Sequence, residues 1–127
     1  MLDERAWRFS RRPLLLHLAR RRELLAVPSP YAFLMHEPVK RFHFIGPWEA
    51  SGGNPQAAGE LLKLLFTRLG DGVSVFLKSP SGNIFARKLL KEHGFIPIET
   101  ETIMYRGQRP KVDVRQIFAL ATGGASG

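Results

Sequence analysis

The apolar positions of this chain follow two spacings, and the switches between them mark out its elements. Residues 13–22 place Leu15, Leu18 and Ala19 on one side of a helix opened by Pro13. Arg20, Arg21 and Arg22 fall near its end, where the helix dipole favours positive charge. Residues 24–27 and 31–36 are short apolar runs separated by Pro28-Ser29-Pro30, and they predict two strands. Residues 37–40 read as a turn. Phe42 and Phe44 then alternate against Arg41 and His43 in a third strand over 41–45, which Gly46-Pro47 interrupts as a bulge or bend would. Residues 48–53 read as a loop.

Helical spacing returns with Ala58, Leu61, Leu62, Leu65 and Leu69. Asn54 is a good cap for the free backbone amides, Pro55 suits the first helical position, and Gly70 with Gly72 closes the element. Val73, Val75 and Leu77 alternate through a fourth strand. Ser79-Pro80-Ser81-Gly82 then turns into a short amphipathic helix over 83–93, stopped by Gly94. Residues 96–106 predict a long final strand, and 111–127 an irregular tail. Antiparallel strands followed by a β-α-β-α-β run give an α+β class with a mixed, mostly antiparallel twisted sheet flanked by helices.

The 127 residues suit a single domain spanning 1–127, with 44% hydrophobic residues and nine phenylalanines to form its core. There is no cysteine, which rules out a disulfide framework and a thiolate nucleophile and suits a cytoplasmic protein. The run Leu14-Leu15-Leu16 is too short to span a bilayer, so no membrane partner is expected. A net charge of +8 permits contact with polyanions, including cofactor phosphates. Charge alone does not identify nucleic acid as a partner, since no stacking motif or recognition helix accompanies it.

One stretch carries more information than the rest. Asn83, Ala86, Leu89, Leu90, Gly94 and Phe95 form an Asn-x-x-Ala-x-x-Leu-Leu-x-x-x-Gly-Phe pattern that resembles the last helix of the GNAT N-acetyltransferase superfamily. Leu2-Asp3, Arg12-x-x-Leu15, Phe44-Ile45-Gly46-Pro47, Met104-Tyr105 and Ile117-Phe118-Ala119-Leu120 narrow the likeness. Together they resemble the C-terminal GNAT-like domain of two-domain bacterial acetyltransferases. The first strand and helix of a complete GNAT domain have no counterpart here. A bare sheet edge then favours a homodimer or docking to another GNAT domain.

The resemblance implies acetyl-CoA (or coenzyme A) as cofactor and an amine of unknown identity as acceptor. It assigns cofactor binding to Trp48 and Ala50, to Gly53, Asn54, Gln56, Ala57, Ala58 and Gly59 around the start of the Pro55 helix, and to Asn83. A helix N-terminus can hold a diphosphate through its unpaired amides, and Gly52-Gly53 could add a backbone nest. Of the signature positions Gly53, Gln56 and Ala58, only Ala58 keeps the family pattern. Asn83 either contacts the cofactor or caps its helix. Leu90 stands where many relatives have a proton-donating tyrosine, and leucine cannot donate. Glu49 is the candidate general base, and Tyr105 a candidate hydroxyl. His36 and His43, on adjacent strands, are placed to pair or relay a proton. No spacing resembles a metal site. Lys63, Arg87, Lys88 and Lys91 could reach the 3′-phosphate of coenzyme A. Two functions follow: an acyl-CoA-dependent N-acyltransferase with a divergent cofactor site, or a non-catalytic GNAT-like dimerisation or regulatory module.

Overall fold

A computed structural model describes residues 22–28, 31–100, 106–108 and 112–121. The helix expected at 13–22, but for Arg22, lies outside them, as do Leu2, Asp3, Arg12, Met104 and Tyr105. The chain forms β1 (Glu23–Pro28), β2 (Tyr31–Val39), β3 (Phe42–Ala50), α1 (Pro55–Leu69), β4 (Ser74–Leu77), α2 (Ile84–Glu92) and β5 (Ile117–Ala119). Single 3₁₀ turns, Ser51–Gly53 and Val114–Gln116, precede α1 and β5. The class is α+β. Among the described residues no helix is long and apolar enough to cross a membrane.

β1, β2 and β3 are antiparallel neighbours, and β4 joins β3 in parallel. The outer edge of β3 is shared end to end. Phe42–Ile45 pairs with β4, and Trp48 and Glu49 pair with β5 running the other way. The two short strands are tied where they meet, the Leu120 amide donating to the Lys78 carbonyl at 2.7 Å.

α1 starts as its sequence dictates. Asn54 Oδ1 accepts from the Ala57 amide, Pro55 takes the first turn, and Gly70 closes the helix at φ +75°. Its buried face of Ala58, Leu61, Leu62 and Leu65 lies against Leu25, Ala32, Leu34, Ile45, Trp48 and Ala50 of the sheet. Each of these larger apolar side chains contributes about 1.5–3 kcal/mol on burial. α2 is capped by Asn83 and adds Ala86 and Leu90 to the same core. Leu90 is core, as its chemistry requires.

Five expectations are corrected. β2 continues through residues 37–39, so the turn is only Lys40 and Arg41. β3 continues past Gly46-Pro47 to Ala50, so 48–50 is strand and not loop. Both strands are buried on two faces over most of their length, which leaves no alternation to read. Phe42, expected inside, is exposed and His43 is buried. In the predicted last strand, residues 96–100 form no strand, and Ile96 and Ile98 are 80% and 77% exposed. The supposedly irregular tail supplies β5 and some of the most buried side chains in the molecule.

Candidate functional site

The residues assigned to the cofactor fall into three places. Ala57 and Ala58 face the core under α1. Gln56 and Gly59, with the neighbouring Pro55, line a groove of about 570 Å³ between α1 and α2, opposite Phe85, Lys88 and Leu89. Gly59 permits this approach, since a Cβ there would lie 3.3 Å from Leu89 Cδ1. Lys63 and Lys88 both line the groove, as expected for phosphate contacts, but so do Glu60 and Glu92. Two cations against two carboxylates give it no net positive field.

The third group is Trp48, Ala50, Gly53, Asn54 and Asn83, around the point where β4 leaves β3. Trp48, Ala50, Gly53 and Asn83 are buried and do not face an open cleft. Residues 113–121 of the same chain run through it. Asn83 is 1% exposed and uses its whole side chain: Oδ1 accepts from the Ala86 amide, and Nδ2 donates to the carbonyls of Ile117 at 2.7 Å and Arg115 at 3.2 Å. The cap weighed from sequence is formed, and the amide that the resemblance offers to a cofactor is bonded to the chain itself. The Trp48 ring lies against Phe118 with centroids 5.2 Å apart, both side chains fully buried.

The glycine nest is taken in the same way. The Gly52 amide donates to Gln116 Oε1 at 3.3 Å, and the Asn54 amide to the Ser51 carbonyl. Gly52 and Gly53 both have positive φ, at +66° and +72°, which glycine adopts at no steric cost. Only Gly53 also meets a neighbour: a Cβ there would come within 2.7 Å of the Arg115 carbonyl oxygen. Likewise a Cβ at Gly46 would overlap the Leu120 carbonyl oxygen, and one at Gly82 would lie 3.0 Å from Val114. Three glycines therefore admit the segment at close range. Asp113 starts it, accepting from Arg115 and Gln116. Burial works to raise the Asp113 pKa, but these hydrogen bonds and the Arg115 charge outweigh it and hold the pKa below the usual value.

Glu49 is not the loop carboxylate expected. It lies inside β3, opposite Phe33 on one side and Ile117 on the other, and is fully buried. It is not among the residues that line the α1–α2 groove. Tyr105 lies outside the described residues. His36 and His43 do pair, Nδ1 to Nε2 at 2.7 Å. Among the described residues no group of three His, Asp or Glu could hold a metal ion.

Sequence reasoning missed Arg22 and Gln116. The Arg22 guanidinium is buried, donates to the carbonyls of Gly46 and Ala121, lies 3.4 Å from Glu37 and sits 5.0 Å over the Phe44 ring. It ties the end of the 113–121 segment to the sheet. In sequence it is one arginine of a cluster, with nothing to single it out. Comparison of the chain with protein-family models, with curated proteins and with solved structures finds no match.

Proposed function

We infer that this chain is a non-catalytic GNAT-like module, which works by docking to another acetyltransferase domain or to a second copy. The likeness of the Asn83–Phe95 helix to the GNAT superfamily supports the architecture. One observation carries the loss of chemistry: residues 113–121 fill the space between β3, the start of α1 and Asn83, where an acyl-CoA would thread its thioester. Leu90 in place of a proton donor and the burial of Glu49 agree with it. The exposed Ile84 and Phe85 at one end of α2, and Ile96 and Ile98 beyond the other, supply apolar surface for docking. The cysteine-free sequence supports a cytoplasmic setting.

A second reading, an N-acyltransferase that takes acetyl from acetyl-CoA to an amine, is favoured by the α1–α2 groove with Gln56, Lys63 and Lys88 on its walls. Titration with acetyl-CoA separates the two. A ligand at about a hundred times its Kd stabilises by about 2.7 kcal/mol, or roughly 8 °C in Tm for a domain of this size. The docking reading expects no shift and a concentration-dependent dimer, or a complex with an acetyltransferase domain, in sedimentation experiments. A saturable rise in Tm with acetyl transfer to an amine would replace it with the enzyme reading.

A further inference from the structure

We propose that His36 and His43, with Glu23, form an acid-sensitive latch that holds β1, β2 and β3 together at one end of the sheet and opens when both rings are protonated. The two imidazoles are buried, at 4% and 8% exposure, with ring centroids 4.9 Å apart. A 2.7 Å contact between His36 Nδ1 and His43 Nε2 requires one proton between them, whichever ring owns it. On its other side His36 Nε2 lies 3.5 Å from the Glu23 carboxylate, and Arg68 at the end of α1 lies 3.9 Å from the same carboxylate. Four elements therefore meet along one line of ionisable groups.

The chemistry of this line is asymmetric. A first added proton is accommodated: His36 carries two N–H groups, one directed at His43 and the other at Glu23. A second proton, on His43, sets N–H against N–H at hydrogen-bond distance and puts two like charges in a buried site. Glu37 on β2 acts on His43 in the opposite sense, favouring its charge, while Arg68 opposes charge on His36. Burial prevails, and with repulsion from His43 in the case of His36 it lowers both pKa values from the usual 6.5. The unfolded chain therefore binds more protons than the folded one. The latch's stabilisation is complete above about pH 6.5 and declines as pH falls through that value toward the folded pKa values. This inference does not depend on the cofactor site.

The test is the unfolding equilibrium of the full chain between about pH 8 and about pH 5, with His43→Gln and His36→Gln alongside. Below about pH 6.5 the unfolding constant of the wild type is expected to rise as pH falls, more steeply than a single ring allows and by at most about a hundredfold per pH unit, the limit for two protons. Each single variant, with one ring left, is expected to show a shallower rise, at most about tenfold per pH unit. Protection of the β2 and β3 backbone amides beside the rings, taken relative to their intrinsic exchange rates, should fall more in acid in the wild type than in either variant. If neither variant folds, imidazole ¹⁵N titration of the wild type decides: two linked titrations below the ordinary histidine range support the latch. Two independent titrations near 6.5, or a flat stability profile, overturn it.

Discussion

Asn83 is the residue on which the two halves of the site hinge. A capping side chain needs only an acceptor, and aspartate caps as well as asparagine. The amide group does more, because its Nδ2 donates to two carbonyls of the 113–121 segment. Asn83→Asp therefore keeps the cap and removes the donor, setting a carboxylate against the carbonyls of Arg115 and Ile117. Denaturant unfolding should report a loss of about 2–3 kcal/mol, where a cap alone would lose almost nothing. Sequence made Asn83 visible as a cap and as a candidate contact. It could not show the partner, since the carbonyls that receive Nδ2 lie 32 and 34 residues away. Glu49 shows the same limit from the other side. Its character as a carboxylate beside Trp48 is plain from sequence, while its burial depends on β5 pairing alongside β3, which no local pattern encodes.

At the level of elements, local signals were sufficient where an element makes its own case. α1 and α2 carry cap, spacing and terminal glycine within a single window, and both form where expected. The strands are harder. Two-sided burial erased the alternation in β2 and β3, and the three residues of β5 are too few for any period. Residues 96–106 had a strand's pattern, but 96–100 find no partner among the described residues. Apolar content thus misled in both directions: Ile96 and Ile98 are outside, and Phe118 and Ile117 in the tail are inside. Phe118→Ala should accordingly cost about 3–5 kcal/mol in stability, as a cavity against Trp48. Ile96→Ala, by contrast, should stay within about 0.5 kcal/mol. Equal losses at the two positions would mean that the tail is not core.

For the whole molecule, the fold and the proposed loss of chemistry come from a single choice. Where β4 parts from β3, the sheet must either leave a cleft or fill it. This chain fills it with its own residues, held by Asn83, Gln116, Arg22 and the close approach allowed at Gly46, Gly53 and Gly82. The α+β class was legible from element order alone; the state of the cleft was not, because it turns on contacts between residues far apart in sequence. Those contacts make β5 as much a part of the core as β3. Native-state hydrogen exchange tests this most directly, read at the Leu120 amide and along β5 with and without acetyl-CoA. These amides are predicted to exchange only through global unfolding, at the rate of the β2–β3 ladder, and to ignore the ligand. Exchange as fast as that of residues 96–100, or protection that falls when acetyl-CoA is added, would show a segment that yields the cleft and would contradict the account.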